Sequence, residues 1–597
     1  MINYSRLKPT FSSKKRLFKP FFAALVVSAL GSSPVFAVEE DLAPESATGI
    51  SKNASVISEG ALVVTAHPLA TAAGQQILRN GGTAADAAVA IQAMLTLVEP
   101  QSSGIGGGAF MLYWDQQHKQ LHAYDGRETA PALAGEKLFY RDGKPMKWHD
   151  AMVGGRSVGT PGVLKMLELS HSRHGNQSWK SLFSSAIQQS KEGFTVGPRL
   201  HQLIASNINP GLKRYPEALN YFFTGEGEPL PIGFNRTNPE LAQSLTLIAE
   251  KGASAFYQGP LARKITEKVQ QISDNPGLLS MNDMAAYAAK ERSPICLPYL
   301  SYKVCGFPPP TSGGVTVLQI LKLLENQPLA DMPPNSLEFN HLFTQASRLA
   351  FADRGRYLAD ADFVDVPVNE LLSQPYLDQR AQLISAEQDM GKAAAGKPEK
   401  INLSRADDKS PERPSTSHFV VRDQWGNAVS MTTSIEMAFG STVMAGGFLL
   451  NNQLTDFSFV AEKDGQLVAN RVQPGKRPRS SMSPFMVFDK NGELYAAIGS
   501  PGGSRIINYV AQSLLVMLNT DMPLQEVVSL PHVSNRNSLT ELEQGTPAEQ
   551  LQEQMEKLGH KIKVRDLNSG LHGFRRLSDG RWESGVDNRR EGEALSQ

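Results

Sequence analysis

The chain has 597 residues, more than a single domain of roughly 100–200 residues uses, and its 41% hydrophobic content is enough for a large buried core. Lys and Arg together number 59, as do Asp and Glu, so there is no basic excess to drive binding to nucleic acid or to an acidic membrane. Small acidic or zwitterionic molecules stay within reach, because one local arginine suffices for a carboxylate.

Lys8, Lys14, Lys15, Arg16 and Lys19 precede an apolar run from Phe21 to Leu30, a break at Gly31-Ser-Ser-Pro34 and the small-residue end Val35-Phe36-Ala37. That order predicts a secretory signal peptide over 1–37 and an exported protein, periplasmic or secreted. A retained anchor is the alternative, although the run is shorter than the ~20 apolar residues a span needs. Leu69 to Leu97 reads as an Ala-rich helix interrupted at Asn80-Gly81-Gly82, with Thr83 as the cap that restarts it. Gly104-Ile-Gly-Gly-Gly108 leads into a strand from Ala109 to Trp114, and Thr160-Pro161 reads as the cap and first position of a further helix. Mixed α and β elements continue to about Ile384. A hairpin across Leu297–Val304 would bring the only two cysteines, Cys296 and Cys305, into disulfide range; two free buried thiols are the alternative. Residues 386–415 lack aromatics and are rich in charged residues, Ala, Gly and Pro. They read as an exposed, mobile segment, a composition that an interdomain linker shares. Near the C-terminus, Thr546-Pro-Ala-Glu549 reads as a capping box before the apolar face of Leu551, Met555 and Leu558, with Gly559 as the stop.

Strand-like sequence begins abruptly at Thr416. Two β-prone runs flank Asp423-Gln424-Trp425-Gly426-Asn427, where Gly426 suits the left-handed position of a three-residue hairpin loop. Pairing Asp423 with Asn427 sets Phe419 opposite Met431 and Thr416 opposite Ser434. Directly opposite residues share a face with Cβ atoms about 4.5–5.5 Å apart, so register alone places a second hydroxyl beside Thr416. A threonine at a chain's N-terminus carries its own base, the free α-amine, which can take the Oγ proton as Oγ attacks a carbonyl. A plain Thr/Ser pair in a sheet is the bland alternative.

The Thr416 hairpin resembles the start of the small subunit of γ-glutamyltranspeptidases, and further stretches resemble that family in the same order: Asp125-Gly-Arg127-Glu-Thr-Ala-Pro131, Leu449-Leu-Asn-Asn-Gln453-Leu-Thr-Asp456-Phe457, Arg477-Pro-Arg-Ser480-Ser481-Met-Ser-Pro484, Gly499-Ser-Pro-Gly502-Gly503-Ser-Arg505 and Gly585-Val-Asp-Asn-Arg-Arg590. The resemblance implies an α/β (α+β) fold, the four-layer αββα sandwich of N-terminal nucleophile hydrolases. It implies self-cleavage between Ser415 and Thr416 into a large subunit, 38–415, and a small catalytic subunit, 416–597, that stay together as a heterodimer. It also implies a γ-glutamyl amide hydrolase and transferase acting on glutathione and related compounds, with water, amino acids or peptides as acceptors and no metal or organic cofactor. In that reading Thr416 is the nucleophile, Ser434 its hydroxyl partner, and Gly502 and Gly503 the oxyanion donors. Arg127, Ser480 and Ser481 hold the donor's α-carboxylate, and Gln453 and Asp456 face its ammonium; Glu436 adds a carboxylate beside Asp456 that could strengthen ammonium binding or repel the α-carboxylate.

Ser434 and Glu436 depart from the threonine and asparagine common in the family, Thr455 replaces an acidic residue often seen before the aspartate, and the stretch between Gly440 and Leu449 is short. These changes keep open a related acylase acting on glutaryl-type amides. A different class is an unprocessed, non-catalytic binding protein on the same fold. Gly155-Arg-Ser157-Val-Gly159 matches the G-x-S-x-G of serine hydrolases, but Ala151–Gly155 makes a poor strand before it and the helix starts too late. Gly104–Gly108 lacks the spacing of a dinucleotide loop.

Overall fold

In the computed structural model, which describes residues 53–399, 404–408, 410 and 415–597, alternation along the strands divides one sheet between two cores. Strands Leu62–Thr65, Ser417–Arg422, Ala428–Ser434 and Gly108–Asp115 lie side by side in it. Val63, Met111, Tyr113, Phe419, Val421 and Met431 join a core built with the Ala-rich helices Pro68–Arg79 and Ala84–Val98. Leu62, Val64, Phe110, Leu112, Trp114 and Val420 join a different core, shared with a second sheet. Successive side chains on a strand point to opposite faces, so a strand covered on both sides carries apolar residues on both. The expected signal peptide lies outside the described residues. Among the described residues no helix is long and apolar enough to cross a membrane.

Both sheets have seven antiparallel strands. The first continues outward to Glu593–Ser596 on one edge and to Gln120–Asp125 and Lys290–Arg292 on the other. The second runs in the order Ile57–Ser58, Trp582–Val586, His572–Arg576, Leu494–Gly499, Phe485–Phe488, Tyr302–Gly306, Ile295–Tyr299. Helices Gly313–Leu324 and Ile506–Asn519 close its outer face. The layers are helix, sheet, sheet, helix, the expected αββα sandwich. Strand Ser417–Arg422 is paired on one side with Leu62–Thr65 and on the other with Ala428–Ser434, which in turn pairs with Gly108–Asp115. Segments before and after residue 415 are therefore interleaved in one hydrogen-bonded sheet, and a cut there leaves these ladders intact.

Local signals explain much of this. Thr83 forms a reciprocal capping box with Asp86. Cys296 and Cys305 face each other across the antiparallel pair Ile295–Tyr299 and Tyr302–Gly306 and are disulfide-bonded. Three expectations are corrected. The helix starts at Val163 with Gly162 as its cap, not at Pro161 with Thr160 as its cap, because the Thr160 backbone is bridged to Thr129. Glu549 accepts from the Gly545 amide instead of closing a box on Thr546, and a 3₁₀ turn, Glu549–Leu551, precedes the short helix Gln552–Lys557. The expectation for 386–415 is corrected in part: Glu387, Gln388, Lys392 and Lys397 are exposed, but other described residues of the segment are anchored. Asp389 is paired with Arg348 at 2.9 Å, both side chains buried, and Gly396 bonds Asp353 and Tyr357. Composition reports a segment's inability to build its own core; it does not report the partners that other elements supply.

Candidate active site

The hairpin takes the expected register, Ser417 opposite Thr433 and Phe419 opposite Met431. Its loop is closed by Asp423 N donating to Asn427 O at 2.9 Å, with Gly426 at φ 90°. Thr416, 3% exposed, lies at the strand's start, in the continuous chain. Its Oγ is 3.2 Å from Ser434 Oγ and donates to the Ser415 carbonyl. Ser434 Oγ also accepts from the Glu436 amide at 2.9 Å. Ser415 Oγ donates to Gln101 O at 2.8 Å, and Arg590 Nη1 donates to Thr416 O at 3.0 Å. The Ser415–Thr416 peptide is thus held on both sides, with the Thr416 hydroxyl against the carbonyl that precedes it.

A small cleft opens over Thr416, lined by Ser415, Ser434, Glu436, Gln453, Asp456, Ser480, Ser481 and Gly503, with Met482 and Ile506. Most of the residues expected at the site meet there, from segments far apart in the chain. Gly502 and Gly503 sit at φ 131° and 63°, in the region that side chains disfavour, so glycine is needed for this turn. Gln453 Nε2 reaches Asp456 Oδ2 at 3.3 Å while its buried Oε1 has no hydrogen-bond partner, an acceptor free for an ammonium. Ser481 Oγ accepts from Arg354 Nη2 at 2.8 Å, and Ser480 Oγ accepts from the Met482 amide at 3.1 Å. The Ser480 hydroxyl keeps its own hydrogen to donate. Glu436, at φ 78°, accepts from Asn452 Nδ2 at 2.5 Å. Among the described residues no cluster of His, Cys, Asp and Glu could hold a metal ion.

Arg127 differs from expectation. It does not line the cleft. It is fully buried behind it, its Nη2 donating to Asp456 Oδ2 at 2.5 Å and to Arg479 O at 3.0 Å, and its Nε to Pro478 O at 3.1 Å. The two residues expected to grip opposite ends of a substrate's amino-acid group are bonded to each other, and only Nη1 has no hydrogen-bond partner.

Four further residues belong to this framework. Arg354, Arg590 and Gln101 hold Ser481, Thr416 and Ser415. Glu128 lies beside Arg127, with Oε2 3.7 Å from Nη1. Arg590 and Glu128 fall inside stretches that resemble the family, a signal that could have singled them out; Arg354 sits in an unmarked helix, Leu337–Tyr357. Burial pushes the Glu128 carboxyl up to about 8 against the opposing pull of Arg127. The folded state then holds a proton that the unfolded chain loses near pH 4.5, so this group's contribution to stability falls as pH rises toward 8 and levels off above it. Comparing unfolding temperatures from pH 5 to 9, Glu128→Gln should remove that part of the decline; parallel curves for the two proteins would refute it.

The two decoys are resolved by packing. Ser157 is buried and donates to Met152 O at 2.6 Å from a 3₁₀ turn, so it is no exposed nucleophile. A Cβ on Gly107 would lie 2.1 Å from Ser434 O, and one on Gly106 would lie 2.1 Å from Leu449 O. The glycine run lets this turn press against the backbone of the site.

A four-layer sandwich with a threonine at the start of a central strand, beside a polar cleft, defines the N-terminal nucleophile hydrolase class. A crystal structure of cephalosporin acylase from Bacillus halodurans superposes with a TM-score of 0.80 at 25% identity, covering 92% of this chain and 97% of that one. The family model described as Gamma-glutamyltranspeptidase matches residues 70–597, and the chain belongs to that family. It is 37% identical over 524 residues to the glutathione hydrolase proenzyme of Bacillus subtilis (strain 168), covering 86% of this chain and 87% of that one. To the glutathione hydrolase proenzyme of Escherichia coli (strain K12) it is 34% identical over 530 residues, covering 86% and 88%.

Proposed function

We propose that this protein is a self-processing γ-glutamyltransferase and glutathione hydrolase with Thr416 as its nucleophile. The observation that carries this is the position of Thr416 Oγ, against the Ser415 carbonyl and 3.2 Å from Ser434 Oγ at the floor of the cleft. In processing, Oγ attacks the Ser415 carbonyl carbon, the acyl group moves from nitrogen to oxygen, and water cleaves the ester. This leaves a carboxylate on Ser415 and a free α-amine on Thr416. The large subunit, ending at 415, and the small one, 416–597, remain joined through their shared sheet, and the signal at 1–37 directs export.

In turnover the Thr416 amine accepts the Oγ proton as Oγ attacks the γ-amide carbon. Gly502 and Gly503 amides receive the oxyanion; one such donor is worth on the order of 10²–10³ in rate. The proton passes to the departing amine, and the acyl-enzyme is taken by water or by an amino-acid amine. Arg127, Ser480 and Ser481 serve the α-carboxylate, while Asp456, Gln453 and Glu436 serve the ammonium. No step calls for a metal or organic cofactor.

A glutaryl-amide acylase is the second reading, favoured by the Arg127–Asp456 pair, which ties up the ammonium's main counter-charge. Initial rates on L-γ-glutamyl and glutaryl p-nitroanilide separate the two. With the ammonium missing, the buried Gln453 Oε1 keeps no hydrogen-bond partner, so kcat/KM should favour the γ-glutamyl donor by at least about 10²-fold. A glutaryl preference would overturn the donor assignment, and an uncleaved, inactive chain would leave only a binding protein.

A further inference from the structure

Residues 404–408 belong to the stretch that composition alone reads as mobile, upstream of Ser415, yet the Asp408 side chain is fully buried. Its Oδ2 lies 2.9 Å from Arg479 Nη2, with the two side chains 0% and 1% exposed. Asn470 Nδ2 donates to the same Asp408 oxygen at 2.9 Å and to the Asp456 carbonyl at 2.7 Å, and Asn470 Oδ1 accepts from the Arg479 amide at 3.0 Å. Asp408 Oδ1 is engaged by Ser410, and the Asp408 amide donates to Gly355 O at 2.9 Å. One residue of the large segment thereby reaches the backbone of two site elements. Arg479 directly precedes Ser480 and Ser481, and its carbonyl accepts from Arg127 Nη2.

We propose that Asp408 is a positioning residue for the donor's carboxylate. It acts through Arg479 and Asn470 on the segment that presents Arg127, Ser480 and Ser481, and it holds the large subunit's C-terminal tail beneath the site once Ser415 has become a chain end. A guanidinium buried as deeply as that of Arg479 needs a compensating carboxylate. With Asp408 neutral, Arg479 must turn toward other acceptors, and the backbone it anchors moves with it. Asp408 touches neither Thr416 nor the cleft, so its effect falls on binding geometry and not on the nucleophile. This inference rests on the self-cleaving, γ-glutamyl-accepting reading of the site.

The test uses the full-length enzyme after processing. Asp408→Asn should still yield two fragments. Its KM for L-γ-glutamyl p-nitroanilide should rise tenfold or more with kcat within threefold of wild type. On 4-aminobutanoyl p-nitroanilide, which lacks the α-carboxylate, kcat/KM should change less than threefold. Asp408→Glu, which keeps the charge, should recover most of the KM. The proposal is overturned by an Asn variant whose KM stays within twofold, by equal losses on both donors, or by a variant that remains one chain, since Asp408 would then act on folding alone. If wild type prefers glutaryl p-nitroanilide, the donor assignment fails separately, and the same KM comparison on that carboxylate-bearing donor decides Asp408.

Discussion

Thr416→Ala is expected to leave one uncleaved chain and to abolish turnover, with kcat falling by a factor on the order of 10⁴–10⁶, the range seen when a covalent nucleophile is removed. The two losses have one cause. The hydroxyl that contacts the Ser415 carbonyl in the continuous chain is the hydroxyl that would later attack substrate, and without cleavage the α-amine that serves as its base stays locked in a peptide bond. Thr416→Ser keeps the oxygen and should keep both processing and activity, slowed because serine lacks the methyl that fixes a threonine rotamer. Denaturing gels of wild type and both variants, beside rates on L-γ-glutamyl p-nitroanilide, read the result. A Thr416→Ala protein that still splits would place the cleavage chemistry elsewhere.

Arg127→Gln is expected to raise the donor KM by roughly two to four orders of magnitude, the equivalent of the ~3–5 kcal/mol lost when one partner of a buried ion pair is removed. Asp456, Pro478 O and Arg479 O all lose a donor in this variant. Its apparent unfolding temperature should therefore drop as well. Arg127→Lys keeps the charge but not the planar fork and should fall between the two. The split between KM and kcat is decisive. A raised KM with near-normal kcat assigns Arg127 to the donor carboxylate. An unchanged KM with lowered stability would make it a structural partner of Asp456 and leave Ser480 and Ser481 to hold the carboxylate.

The contrast between Ser434 and Arg127 shows how far the sequence reaches. Ser434 is placed opposite Thr416 by a three-residue loop and the two-residue period of strands, both local properties, and the structure keeps that register. Arg127 and Asp456 lie 329 positions apart, and no local rule states that they meet, still less that they pair with each other. Arg354 and Asp408 are further from reach: each sits in a stretch with no motif, and each matters only through the side chain it touches, Ser481 or Arg479. The anchoring of Asp389 and Gly396 was hidden for the same reason, because Arg348 and Asp353 lie on a separate helix.

By itself, then, the sequence determined the capped helix pair at Thr83, the hairpin register from Thr416 to Ser434 and the family to which the chain belongs. Each depends on contacts within a few residues or on several motifs recurring in order. Tertiary structure alone decided the state of the site: which charges neutralise one another, which acceptors are left unpartnered in the cleft, and which distant carboxylate lies beneath the residues that would receive the donor. Those outcomes depend on desolvation and on partners delivered by packing two sheets together, and neither quantity exists until the chain has folded.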